Sequence, residues 1–400
     1  MKKLRVGILF GGRSGEHEVS LLSAASVFSA IDKDKYEVVP IGITKEGHWV
    51  TASDAERLLA GEGLPAAQAH RRAGDPEATP AAAVLAKGEA VIVPPEPQAH
   101  GGTLRPFETD AASHALTRRV ADRAINVDII FPVLHGTFGE DGTIQGLLEL
   151  ADLPYVGAGV LGSAAGMDKD IMKALFRAAS LPIVKHVTIL RSDWAAQAKD
   201  VRRRIERQLK YPVFVKPANL GSSVGISKVH DRNELASGME EAAKFDRKIV
   251  IEQGVGGRKH KARELECSVL GNDQPQASLP GEIVPSKEFY DYEAKYLDEG
   301  SELIIPAKLT KRESQTVQQL AIRAFQAVDC SGLARVDFLM EPKTRKIYIN
   351  EINTMPGFTA ISMYPKLWAA SGLPYSQLIE RLIELGLERH QEKKKNQYSR

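Results

Sequence analysis

Between Leu4 and Ile43 the hydrophobic pattern changes period twice, and this restricts the fold more than any other stretch of the chain. Leu4 to Phe10 is a short apolar run that stops at Gly11-Gly12-Arg13-Ser14-Gly15. Residues 18 to 31 carry apolar side chains at helical spacing, and Tyr36 to Ile43 is apolar again. Strand, glycine loop, helix and strand in that order make a βαβ unit, which predicts a parallel sheet opening an α/β domain. The loop does not match GxGxxG, and the second strand ends Pro40-Ile41-Gly42-Ile43 without an acidic residue for a ribose; both facts count against a dinucleotide site. What the loop does offer is Glu16, close to a helix start. There the dipole favours a carboxylate and can keep it ionised to receive an ammonium group. A plain helix-start carboxylate is the alternative.

At 400 residues the chain is long enough for two or three domains, each with its own core. Residues 54–124 dissolve into Ala, Pro, Gly and scattered charge, apart from Ala90 to Val93, and read as a variable insertion. Order returns at Val127 to Leu134, an apolar strand ending at His135-Gly136 and followed by the turn Gly139-Glu140-Asp141-Gly142. A helix is expected over residues 168–180, then strand, glycine loop and strand from Tyr211 to Val229. A helix over 233–245 and a strand from Lys248 to Glu252 lead into the hinge Gly254-Val255-Gly256-Gly257. The predicted domains are 1–157, 158–253 and 254–400, with the last ten residues a frayed tail.

A formal net charge of +2 with 26% charged residues gives no global electrostatic reason for a nucleic-acid or membrane partner. Only Cys267 and Cys330 are present, without CxxC or Cys/His spacing, so neither a disulfide framework nor a structural zinc site is indicated, which fits the cytoplasm. The N-terminal apolar run breaks at Gly11-Gly12 and fails as a signal peptide, and no apolar run is long enough to span a membrane.

Two later segments carry chemistry. Arg335-Val336-Asp337 and Asn350-Glu351-Ile352-Asn353 flank a turn at residues 341–345 and read as one β-hairpin. Strand side chains alternate, so pairing odd positions with odd brings Arg335, Asp337, Glu351 and Asn353 together. Val336, Phe338, Tyr348 and Ile352 would then form the opposite, apolar face and pin the register. Two carboxylates and an amide oxygen suit magnesium shared with substrate phosphates; a solvated polar face is the alternative. Val213 to Gly225 delivers Lys216 at a strand end and then a Gly/Ser loop. That is a phosphate clamp without a Walker A sequence, or else an ordinary hairpin turn.

These segments together resemble one family, the D-alanine:D-alanine ligases of the ATP-grasp superfamily. The likeness runs through GGRSGEHEVS (11 to 20), LHGTFGEDGTIQG (134 to 146), LPYVG (153 to 157), MDKD (167 to 170), VKPANLGSSVG (215 to 225), FYDYEAKY (289 to 296), RVDF (335 to 338) and NEINTMPGFTAIS (350 to 362). It implies an α/β (α+β) fold of three-domain ATP-grasp architecture with an N-terminal parallel-sheet domain, acting as a cytoplasmic homodimer.

It also implies a division of labour. Lys169, Lys216 and Lys295 contact nucleotide phosphates, over which Gly221, Ser222 and Ser223 close. Glu252, Gln253 and Val255 form the adenine hinge. Asp337, Glu351 and Asn353 hold two Mg2+ (or Mn2+). Glu16 receives the ammonium of the first D-alanine through a network with Ser222 and Tyr296. Arg335 and the Gly357 N–H face the developing oxyanion, and Ser362 contacts the second carboxylate. His135 corresponds to a substrate-site histidine, with turn capping as the alternative.

The ribose carboxylate is displaced by Gly256 to Arg263, an insert about five residues longer than expected. Glu264 is its best candidate and Glu266 the rival. The basic insert itself is expected to be a solvated loop. A loop around residues 286–300, if it closes over the site, would exclude water from the acyl phosphate. FYDYEAKY matches the dipeptide-forming type, whereas sister enzymes join D-alanine to D-lactate or D-serine. A nicotinamide oxidoreductase fails on its fingerprint, and a non-catalytic nucleotide binder would be expected to have lost a metal ligand.

Overall fold

The computed structural model describes residues 3–52, 75–97, 102–109, 116–119, 124–221, 223–257, 260–285 and 302–397. Strand β1 (Leu4–Gly11), helix α1 (His17–Ala30) and strand β2 (Tyr36–Ile43) form the expected βαβ unit. β1 pairs in parallel with β2 from Leu4 opposite Tyr36 to Gly11 opposite Ile43. Val6, Ile8 and Phe10 enter one core and Leu9 another, so the strand is covered on both faces, as a parallel strand requires. Gly11 makes the turn possible: φ is +89°, and a Cβ there would lie 2.2 Å from the Ile43 carbonyl oxygen.

The described parts of the expected variable insertion, with one strand before it, extend this sheet. β3 (Trp49–Thr51), helix α2 (Pro80–Lys87), β4 (Glu89–Ile92), β5 (Gly102–Thr109) and β6 (Leu116–Arg119) continue it in antiparallel fashion. Ala81 and Val84 of α2 pack into the core beneath β1. The apolar run from Val127 is two strands, because Asp128 turns aside to accept from the Arg5 N–H at 2.7 Å. β7 (Ile125–Val127) pairs with β5, and β8 (Ile129–Pro132) pairs in parallel with β1. The sheet is therefore parallel at β2-β1-β8 and antiparallel beyond.

Helices α3 (Thr143–Leu150), α4 (Val160–Met167) and α5 (Lys169–Ala178) lead away from it. A second, antiparallel sheet follows in the order β11-β10-β12-β9, from β9 (His186–Leu190), β10 (Val213–Pro217), β11 (Ser227–Val229) and β12 (Lys248–Gln253). It packs on α6 (Arg191–Gln208) and α7 (Leu235–Phe245) through Trp194, Ile205, Leu235 and Met239.

The third sheet comprises β13 (Arg263–Gly271), β14 (Gln276–Ala277), β15 (Gly281–Val284), β16 (Glu302–Ile304), β17 (Gly332–Met340) and β18 (Ile347–Asn353), ordered β16-β15-β13-β17-β18 with β14 on β13. Helix α8 (Lys311–Ala327) covers one face, opened by a reciprocal Thr310–Glu313 capping box. Met172 and Phe176 of α5 join the same core.

The chain then returns to its beginning. After α9 (Met363–Ala370), α10 (Tyr375–Lys393) places Leu378, Ile379, Leu382 and Ile383 in the core with Val6, Ile8 and Phe10. Arg389 of α10 stacks over the Tyr155 ring at 4.1 Å and donates to Ser331 Oγ at 2.9 Å, to the Tyr155 carbonyl at 3.2 Å and to the Gly157 carbonyl. The tail frays later than expected, because Lys393 is still helical and pairs with Glu149. Among the described residues no helix is long and apolar enough to cross a membrane.

Candidate active site

The hairpin adopts the odd register, with Arg335 opposite Asn353 and Asp337 opposite Glu351. The pairing then shifts: Phe338 lies opposite Ile349, and Asn350 is left as the extra residue of a β-bulge. This corrects one expectation. Beyond the bulge the parity flips, so Ile347 and Ile349 are buried with Ile352, while Tyr348 is half-buried with Lys346 over its ring at 5.0 Å.

On the other edge of β17, Glu266 of β13 lies opposite Asp337. The Arg335 guanidinium donates to both Asp337 oxygens at 2.7 Å and lies 3.0 Å from a Glu266 oxygen. Asn353 Nδ2 donates to Asp337 Oδ2 at 3.0 Å. Among the described residues no three His, Cys, Asp or Glu side chains cluster as a metal site. The set that could hold one is Asp337 and Glu351, directly across adjacent strands, with Asn353 beside them. Hard oxygen donors lining an open cleft fit a magnesium ion that shares substrate phosphate oxygens.

The lysines approach from α5 and the second sheet. Asp168 caps α5 by accepting from the Asp170 and Ile171 N–H groups, each at 3.1 Å. This puts Lys169 in the first helical turn, where its ammonium donates to the Leu220 carbonyl at 2.7 Å and lies 4.0 Å from Glu351. Lys216 lies 2.8 Å from one Glu252 oxygen and 3.4 Å from Asn350 Oδ1. Lys173, one turn after Lys169, lies 2.9 Å from the other Glu252 oxygen. Burial opposes the Glu252 charge, yet Lys173 and Lys216 hold its pKa down to about 2. Burial also opposes the Lys216 charge, but Glu252 and Glu351 raise its pKa above the lysine range.

Gln253 and Val255 line the same cleft, and the Gln253 side chain accepts from the Lys210 N–H at 3.0 Å. Glu264 lines it too. Its rival Glu266 lines the same cleft and is engaged by Arg335. Ser222, Lys295, Tyr296 and the loop around residues 286–300 lie outside the described residues, as do Arg258 and Lys259 of the basic insert.

The Glu16 carboxylate is buried between two glycines from different parts of the chain. A Cβ on Gly136 would lie 2.6 Å from its Oε2, and one on Gly221 would lie 2.8 Å away. The glycine loop of the second sheet thus touches the carboxylate at the start of α1. Glu140 sits nearby and accepts from the Gly136 N–H at 2.8 Å; burial and the Glu16 charge push its pKa up to about 8.

Burial holds His135 below the usual histidine range and hence neutral. Its Nδ1 is 3.1 Å from the Met355 carbonyl and must donate to it. Nε2 then accepts from Ser23 Oγ at 2.9 Å. Nδ1 therefore braces the loop that carries Gly357, and Ser23 of α1 in turn accepts from the Phe358 N–H at 3.4 Å. Ser362 stands at the N-cap of α9, its hydroxyl 2.7 Å from that of Thr359, where the helix dipole favours an anion. Gly357 and Ser362 both line the cleft.

Sequence reasoning missed Lys173, although i, i+4 spacing from Lys169 placed it on the same helix face. It also missed Glu140, which no pattern in the chain distinguishes from a turn carboxylate.

Comparison with known proteins gives a concordant picture. A family model for the D-ala D-ala ligase N-terminus matches residues 5–158, and one for the D-ala D-ala ligase C-terminus matches residues 175–384. The D-alanine–D-alanine ligase of Geobacillus kaustophilus is 49% identical over 397 residues, covering 99% of this chain and 98% of that protein. The solved D-alanine–D-alanine ligase from Coxiella burnetii superposes with a TM-score of 0.77 at 36% identity, covering 99% of this chain and 97% of that one. The VanG D-Ala:D-Ser ligase from Enterococcus faecalis gives 0.77 at 34% identity, covering 96% of this chain and all of that one (100%).

Proposed function

The chain belongs to the D-alanine–D-alanine ligase family, and from this premise we propose how its cleft divides the work of joining two D-alanines. The enzyme is an ADP-forming ligase of peptidoglycan precursor synthesis, with ATP and D-alanine as substrates. Lys169, Lys216 and Lys295 bind the phosphates beneath Gly221, Ser222 and Ser223. Glu252, Gln253 and Val255 form the adenine wall, and Glu264 takes the ribose. Asp337, Glu351 and Asn353 would hold two Mg2+ or Mn2+ ions, which when bound neutralise charge on the transferring phosphoryl group.

A carboxylate is a poor acyl donor, so the first D-alanine attacks the γ-phosphate, forming an acyl phosphate and releasing ADP. Glu16 holds its ammonium, supported by Ser222 and Tyr296. The second amine then attacks the acyl carbon, and Arg335 with the Gly357 N–H stabilises the oxyanion of the tetrahedral intermediate. Ser362, at the head of α9, orients the second carboxylate. Phosphate departs and the dipeptide remains. His135 keeps the Met355 to Gly357 loop in place for that step.

The reading is carried by one observation: Asp337 and Glu351 face each other across adjacent strands, with Lys169 4.0 Å from Glu351. The three sheets are assigned to domains 1–157, 158–253 and 254–400, and the enzyme to a cytoplasmic homodimer. Phosphate release with ATP, Mg2+ and D-alanine, repeated with D-lactate or D-serine as second substrate, tests the reading. D-Alanine alone should support full turnover. Release that does not depend on D-alanine would overturn it.

A further inference from the structure

Lys173 is fully buried on α5 and its ammonium does not line the cleft. A lysine out of water stays charged only where carboxylates and carbonyls replace its hydration. Two groups do so here. Nζ lies 2.9 Å from Glu252 Oε1 and donates to the Asn350 carbonyl at 2.9 Å.

These partners belong to opposite walls of the cleft. Glu252 is on β12 of the second sheet and passes the contact on to Lys216, which sits 2.8 Å from its other oxygen. Asn350 is the bulge residue of β18 in the third sheet, immediately before Glu351. The bulge lets Glu351 face Asp337 while Ile349 returns to the core opposite Phe338. One ammonium thus ties the support of Lys216 to the backbone that aims Glu351.

We infer that Lys173 is a positioning residue for phosphoryl transfer, setting the two walls of the nucleotide cleft in register without touching the nucleotide. This rests on the assignment of Lys216 to phosphate and Glu351 to metal. A buried ion pair serving the core alone would matter only for stability. Register between the walls predicts a selective loss of nucleotide binding.

The test uses the full-length chain with Lys173→Met, Glu252→Gln and Lys216→Met. ATP and D-alanine KM, the Mg2+ needed for half-maximal rate, the ADP Kd without divalent cation, and Tm are measured for each. Lys173→Met should raise the ATP KM, the ADP Kd and the Mg2+ requirement by roughly tenfold or more, the usual cost of losing a residue that orients a ligand, and leave the D-alanine KM unchanged. A lower Tm with those constants at their starting values overturns the inference.

If Lys173→Met does not fold, Glu252→Gln carries the test, because the amide keeps the volume but has one oxygen to accept from a single lysine and turns its NH2 toward the other, which breaks the tie. The same selective rise is expected, and an unchanged ADP Kd overturns the inference. Lys216→Met separates the two layers. An unchanged ATP KM there overturns the site assignment itself, whereas a loss in Lys216→Met that is absent from both other variants overturns the role of Lys173 alone.

Discussion

Arg335 and Asp337 leave the same face of β17 two residues apart, and the guanidinium grips both oxygens of the carboxylate at 2.7 Å. Glu266, 3.0 Å away, holds the guanidinium from β13. The fork is thus aimed by two carboxylates before any substrate arrives. A lysine would keep the charge but lose the planar two-point grip. Arg335→Lys should lower kcat on the order of a hundredfold, as when one oxyanion donor is lost, with little change in ATP KM. Steady-state kinetics decide. A rise in ATP KM at constant kcat would assign Arg335 to the nucleotide instead.

Gly221→Ala is a steric test of the Glu16 pocket. The added Cβ would sit 2.8 Å from Glu16 Oε2, so the carboxylate must move or the loop must lift. The D-alanine KM should rise by roughly tenfold, the effect of a small displacement of a substrate-holding group. Tm should barely change. An unaltered D-alanine KM would separate Glu16 from the ammonium.

Glu140 makes folding stability depend on pH in a stated direction. Its folded pKa of about 8 lies above the ordinary carboxylate value of 4.5, so the native state binds the proton more tightly than the unfolded chain. The resulting stability is fully present below about pH 4.5 and is lost as pH rises through about 8. Glu140→Gln cannot ionise and keeps the bond from the Gly136 N–H. Its Tm should therefore increasingly exceed that of the parent between about pH 5 and 9. Thermal melts with parallel pH curves for the two proteins would contradict the assigned shift.

Arg389 holds α10 against the first sheet by a ring stack and three acceptors. Arg389→Ala strands those carbonyls and removes the stack, at a cost of about 3 kcal/mol. Denaturant unfolding should show that loss, while the surviving folded enzyme keeps its ATP KM. A loss below about 1 kcal/mol would mean that water replaces the guanidinium at the carbonyls.

The βαβ opening and the odd register of the hairpin were legible because alternating apolar positions leave one register that buries them. The bulge was not, because Tyr348 and Ile349 are both apolar enough for either face, and only packing against Phe338 selects Ile349. The extension of the first sheet was hidden by short strands and an Ala-rich helix without a periodic signal. The charged floor was readable from local spacing. Its supports were not: Lys173 meets Glu252 and Asn350 only after three distant segments have folded together.

The core beneath β1 joins Val6, Ile8 and Phe10 to Leu378, Ile379 and Ile383, which are made only after the second and third sheets. Synthesis therefore leaves this face of the first sheet covered by α1 and α2 alone until α10 is made. That domain cannot complete its folding in the order it emerges from the ribosome. A nascent chain stalled after residue 157 should bind hydrophobic dyes or a holdase chaperone, and lose that affinity only once α10 has been released.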